Sequence, residues 1–181
     1  MDDDNDMCLS PAIYEQLIRN KDTKFRLSRN FTVGEMIATS RRIDNWPKEA
    51  LLLYRMHNLC RNVLQKVRDH YGKPIKVSSG YRSPELNRLI GGSSRSQHSR
   101  GQAADFEVRG VDNRDLARWI HSNLNFDQLI LEFYTSSQGM DSGWVHCSYK
   151  MSGNRKQFLI AKKKNKKTIY LPATISRLDS L

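Results

Sequence analysis

The chain has 181 residues and a mass of 21.0 kDa, the size of one domain. With 38% hydrophobic and 27% charged residues it can bury a core, which excludes wholesale disorder, and no apolar run approaches the roughly 20 residues that cross a bilayer. Lys and Arg number 30 against 19 Asp and Glu, a net charge of +11, a field that draws the chain toward a polyanion such as nucleic acid, an acidic membrane or a cell-wall polymer. The opening Met1-Asp2-Asp3-Asp4-Asn5-Asp6 is acidic where a secretory signal is basic and then apolar, so synthesis in the cytoplasm without a signal peptide is expected. Cys8, Cys60 and Cys147 are odd in number and far apart, which argues against a disulfide framework or a cysteine-rich zinc knuckle.

Residues 1–30 read as an N-terminal arm, with Ser10-Pro11 opening a short helix over 12–19. Thr32 and Glu35 have the spacing of a capping box and predict a second short helix. Asn45 and Pro47 mark the start of a long helix, in which Leu52, Met56, Leu59, Cys60, Val63 and Val67 form an apolar stripe until Gly72 and Pro74 end it. Residues 75–78 then read as a strand, 84–90 as a helix capped by Ser83 and stopped by Gly91-Gly92, and 93–102 as a loop. A strand over 103–108, a helix over 113–124 and strands over 127–134, 144–150 and 156–160 complete the body. Lys162-Lys163-Lys164-Asn165-Lys166-Lys167 reads as a solvated hairpin loop within a basic C-terminal segment, 161–181. Helices followed by a small, largely antiparallel sheet make an α+β pattern and a single domain.

Three ligand-type side chains fall at informative places. On the strand 103–108, Asp105 shares a face with Ala103 and Glu107, opposite Ala104, Phe106 and Val108. On 144–150, His146 shares a face with Trp144 and Ser148, so Cys147 points away from it. His98 lies in the loop just before the strand 103–108. Two imidazoles and one carboxylate suit a tetrahedral zinc with one open position, the composition of a catalytic site. Such an ion activates water and polarises a carbonyl, which is what amide hydrolysis needs beside a general base and a cation. Arg82, just ahead of the loop, is the natural cation, because guanidinium grips carboxylates bidentately. His57, His70 and His121 lie within predicted helices and need no function. Trp119 is expected in the core, and Trp144 in a cleft.

The run Ser79-Gly80-Tyr81-Arg82-Ser83-Pro84, with Asn87, Gly91-Gly92, Ser96-Gln97-His98, Gly101, Ala103-Ala104-Asp105 and Trp144-Val145-His146, resembles the M15 family of zinc D,D-/L,D-peptidases. More narrowly, it resembles the D-Ala-D-Ala carboxypeptidase-like domains common in bacteriophage cell-wall hydrolases, over about residues 31–160. The resemblance implies one zinc ion on His98, Asp105 and His146, substrate or transition-state binding by Arg82, and the α+β fold shared with hedgehog signalling domains. It also implies a catalytic acid or base three residues before the last histidine, where this chain has Gly143. Glu132, on the preceding strand, or Asp141, in the turn before Trp144, stands in for it. Glu132 is favoured because a strand fixes its position.

The expected function is that of a monomeric zinc metallopeptidase, carboxypeptidase or endopeptidase, acting by metal-activated water on the stem peptides of peptidoglycan. As a phage-type endolysin it would reach the cell wall through holin release or as a virion component. Two alternatives predict other things: a non-catalytic zinc-containing module that binds cell wall or a virion partner, which Gly143 favours, and a nucleic-acid-binding protein. The latter gives no reason for the three ligands, so no specific nucleic acid is expected.

Overall fold

The computed structural model describes residues 10–139 and 142–181. In chain order it forms α1 (Pro11–Asn20), β1 (Arg26–Ser28), β2 (Phe31–Thr32), α2 (Val33–Ile37), α3 (Ala50–Leu59) and α4 (Gln65–Tyr71). These are followed by β3 (Ile75–Ser79), α5 (Pro84–Leu89), β4 (Ala103–Val108), α6 (Asn113–Asn123) and β5 (Gln128–Glu132). Last come β6 (Trp144–Ser148), β7 (Gln157–Lys164), β8 (Lys167–Pro172) and α7 (Ile175–Asp179). This is the expected α+β domain.

The helices form where their ends are satisfied. Thr32 accepts from the Glu35 backbone N–H while the Glu35 carboxylate accepts from Thr32, the capping box that opens α2. Ser83 accepts from the Leu86 N–H and opens α5, with Pro84 in its first turn. The long helix starts at Ala50, later than its sequence signals suggest, because Asn45 is occupied elsewhere: its amide bonds the carbonyls of Ile37 and Tyr81 and its oxygen accepts from the Ser83 N–H. Between α3 and α4 the rod passes through one π-helical turn, Cys60–Leu64, in which the Gln65 N–H reaches the Cys60 carbonyl. The extra residue keeps Leu59, Cys60, Val63, Leu64 and Val67 all fully buried. Helix α1 is docked: its Tyr14 and Leu17 are buried, and the Tyr14 hydroxyl lies 3.0 Å from His57 Nδ1 on α3.

The main sheet has six strands in the order β3-β4-β6-β5-β7-β8. All pairs are antiparallel except β5 with β7, so the sheet is mixed and larger than expected. β7 runs through Lys164, and the Lys-rich loop shrinks to Asn165-Lys166, both with positive φ, as a two-residue hairpin turn requires. Thus residues 161–181 continue the sheet as β8 and end in α7, whose Leu178 is buried. The strand expected over 127–134 stops at Glu132 because Phe133 has φ 54°.

One face of the sheet belongs to the core. Ala104 and Phe106 on β4, Val145 and Cys147 on β6, Leu129 and Leu131 on β5 and Ile160 on β7 share a single cluster with Leu53, Met56 and Val63 of the long helix and Leu116 and Ile120 of α6. Burial at roughly 25 cal/mol per Å² of apolar surface makes this face the main source of stability. The other face is left for chemistry. Trp119 is only half-buried and stacks on His70, ring centroids 4.2 Å apart, instead of entering the core.

Candidate metal centre

Strand register builds the site as rows across the open face. Tyr170, Ala161, Glu132 and Trp144 stand abreast on β8, β7, β5 and β6; the next row is Leu159, Ile130, His146, Asp105 and Ser79, and the third is Gln157, Gln128, Ser148 and Ala103. Asp105 and His146 are therefore direct cross-strand partners. Glu132 sits diagonally from His146, a separation of about 7–8 Å between such positions that a long side chain can span.

His98 arrives from the loop, in a short 3₁₀ turn (His98–Arg100) that ends at Gly101. Its Nδ1 lies 2.7 Å from the Gly80 carbonyl, which fixes the proton on Nδ1 and leaves the Nε2 lone pair facing inward. Nε2 is 3.2 Å from both His146 Nδ1 and Asp105 Oδ1, and those two atoms are 2.8 Å apart. Ligands bonded at 2.0–2.1 Å in a tetrahedron stand about 3.3 Å from one another, so a divalent ion of zinc's size fits with only small adjustment. All three side chains are buried, and among the described residues they are the group of donors able to hold a metal.

Surroundings suit that task. Burial lowers the basicity of His98, which keeps its ring neutral and able to ligate. For Asp105 burial acts in the opposite sense, but the adjoining His98 and His146 outweigh it and hold the carboxyl well below the usual range. Arg82 donates from Nη2 to Asp105 Oδ2 at 2.5 Å and from Nε to Ser79 Oγ at 2.7 Å. It thereby occupies one carboxylate oxygen and leaves Oδ1 to the histidines. Gly80 is needed for this arrangement, because a Cβ there would lie 2.3 Å from the Met36 carbonyl oxygen.

The triad opens into a cleft of about 880 Å³, also lined by Arg82, Glu132 and Trp144. Glu132 accepts no hydrogen bond among the described residues, and its carboxyl is raised, first by burial and then by the charge of Asp105. Trp144 lines the cleft as its strand parity implies. Cys147 faces the core, where burial pushes its thiol far up and keeps it away from the triad. Asp141 lies outside the described residues, as does Cys8. Gly143 cannot carry the acid of the resembled family: with φ +64°, a Cβ would lie 2.0 Å from the Glu132 carbonyl oxygen.

Two features had no signal in the sequence. Arg82 is engaged with Asp105 as well as lining the cleft. Asp127 is fully buried at the cleft's far end, with Lys150 Nζ at 2.8 Å, Arg155 Nη2 at 2.6 Å and Gln97 Nε2 at 2.7 Å. Through Gln97 it fixes the residue next to His98.

No helix among the described residues is long and apolar enough to cross a membrane. No curated protein matches the chain. A family model described as peptidase M15 matches residues 29–148, which include Arg82, His98, Asp105, Glu132 and His146. With two thirds of its length so matched and a buried His–Asp–His cluster compatible with a metallopeptidase, the chain belongs to the peptidase M15 family.

Proposed function

We propose that the protein is a zinc-dependent peptidase that hydrolyses peptide bonds in the stem peptides of bacterial peptidoglycan, as a phage-type lytic enzyme. The observation that carries this reading is the convergence of His98 Nε2, Asp105 Oδ1 and His146 Nδ1 at 2.8–3.2 Å on the floor of a cleft. Zinc held there would lower the pKa of water toward roughly 7 and polarise the scissile carbonyl.

The chain's own groups do the rest. Glu132, diagonal to His146 and free of hydrogen-bond partners among the described residues, takes the proton of the attacking water and returns it to the leaving amine. Its raised basicity suits a base working near neutrality. Asp141 remains the alternative base. Arg82 orients Asp105 through Nη2, while its Nη1 has no partner among the described residues and can steady the developing oxyanion or a substrate carboxylate. The anionic character of cell walls gives the net charge of +11 a use in bringing protein and substrate together.

Mass spectrometry of the fragments released from purified peptidoglycan, with and without chelator, tests the activity and identifies the bond cut. His98→Ala and Asp105→Ala should lose both zinc and lysis. Glu132→Gln should keep zinc and lose about 10²–10⁴ in turnover. Full lysis by a zinc-free variant would refute the mechanism, and an undiminished Glu132→Gln would move the base to Asp141.

A further inference from the structure

We propose that the end of the cleft lined by Arg95, Arg100, Lys150 and Arg155 is a subsite for a carboxylate that the peptide carries a few residues from the scissile bond. The preferred substrates would then be acidic stem peptides. The proposal rests on the peptidase reading above and assigns that site a substrate class.

The rows of the sheet give the cleft a direction. Glu132, Trp144 and Tyr170 mark one side of the triad, whereas Gln128 and then Asp127, Lys150 and Arg155 mark the other. Lys150 lies four residues beyond His146, about 13 Å along an extended chain. A peptide lying along the strands therefore passes this end about two to four residues from the bond at the triad.

Charge at this end is unbalanced. Asp127, the acid among these lining residues, is already shared by Lys150 and by Arg155, whose Nε and Nη2 both reach it. One carboxylate against two cations leaves an excess of one. Arg95 and Arg100 add two more, and neither guanidinium has an ion-pair or hydrogen-bond partner among the described residues. They belong to a built loop: Gln97 is tied to Asp127 at 2.7 Å, and its carbonyl accepts from the Arg100 N–H at 3.1 Å and the Gln102 N–H at 3.0 Å. Arg95 and Arg100 are exposed, so their unpaired guanidinium groups on the wall of a concave, substrate-sized cleft are free to turn to an anion, and a carboxylate matches their planar donors.

The test uses fluorescein-labelled synthetic stem peptides with their mid-chain carboxyls either free or amidated, mixed with the zinc-loaded protein. Binding is read by anisotropy before turnover, and cleavage afterwards by mass spectrometry. The native protein should bind the free acid about tenfold more tightly than the amide, and Arg95→Gln/Arg100→Gln should bind both like the amide. Arg95→Lys/Arg100→Lys should retain a preference, which separates charge from folding. Equal binding of the two peptides by the native protein, or a preference unchanged in the Gln variant, overturns the subsite. A preference for the free acid without cleavage of either peptide supports the subsite and refutes the peptidase reading.

Discussion

Replacing Gly143 by aspartate would restore the acid that the resembled family carries three residues before its last histidine, yet the structure predicts loss instead of gain. At φ +64° a residue with a Cβ costs about 1–2 kcal/mol in a left-handed conformation. The added Cβ would also lie 2.0 Å from the Glu132 carbonyl oxygen and 2.8 Å from the Tyr134 backbone nitrogen. Relief to an ordinary contact needs a shift of more than about 1 Å in the backbone that carries Glu132, an overpacking cost of about 1–3 kcal/mol. The turn cannot simply move away: Ser142 Oγ bonds both the N–H and the carbonyl of Thr135, and Asn113 donates to the carbonyls of Ser142 and Gly143. Together these terms give about 3 kcal/mol, a fall in melting temperature of about 6–12 °C for a domain of this size. Gly143→Ala should show the same fall without the new charge. Calorimetry and peptidoglycan hydrolysis check both variants. A Gly143→Asp protein with native stability and increased turnover would refute the steric argument and place the acid at 143.

Arg82→Lys should weaken zinc binding by about 10–100-fold, read by competition with a chromophoric chelator, because lysine cannot bridge Asp105 and Ser79 with two fixed donors. Asp127→Asn removes the buried carboxylate that Lys150 and Arg155 share and should destabilise the fold at pH 7 by about 1–3 kcal/mol, a cost limited because both cations are exposed enough to turn to water. The folded-state carboxyl of Asp127 is held low, opposed by burial but carried by hydrogen bonds from Arg155 and Lys150. Its contribution is therefore fully present above the unfolded value of about 3.9 and lost as pH falls below it. Urea denaturation should show the gap between native and variant protein narrowing from pH 5 to pH 2, and a constant gap would contradict the ion-pair account.

What could be read from the sequence follows from how local each signal is. The long helix, the Thr32 capping box and the strands β4 and β6 depend on near neighbours, and all are present, although both strands are buried almost throughout. Strand parity alone separates Asp105 and His146, on the open face, from Cys147 on the other. The parallel partnership of β5 with β7 is not local, since both strands read as half-buried whichever neighbour they take. Lys162, Lys163 and Lys164 looked like loop because charge masks alternation on strands near a sheet edge, where lysines also discourage further pairing. Arg82 carried a sign and a shape in the sequence but no hint that Asp105 would engage it. Asp127 looked like the ordinary start of a strand, and only the meeting of segments from residues 97, 150 and 155 makes it a hub.

Gly143 was the sequence feature that favoured a non-catalytic module, and its packing against β5 gives it a reason unrelated to lost activity. The same economy runs through the centre. Two members of the triad are held from outside it, His98 by the Gly80 carbonyl and Asp105 by Arg82, while the His146 ring meets His98 and Asp105 through Nδ1 and its buried Nε2 has no hydrogen-bond partner among the described residues. Both glycines lie where backbone passes too close for a side chain, Gly80 against α2 and Gly143 against the end of β5. Period-two strands allow this division, because every strand that buries Ala104, Val145 or Leu131 on one face must present Asp105, His146 or Glu132 on the other. A sheet rigid enough to form the core thus fixes the spacing of the donors, and the loop holding His98 is tied to it at Gly80 and, through Gln97, at Asp127.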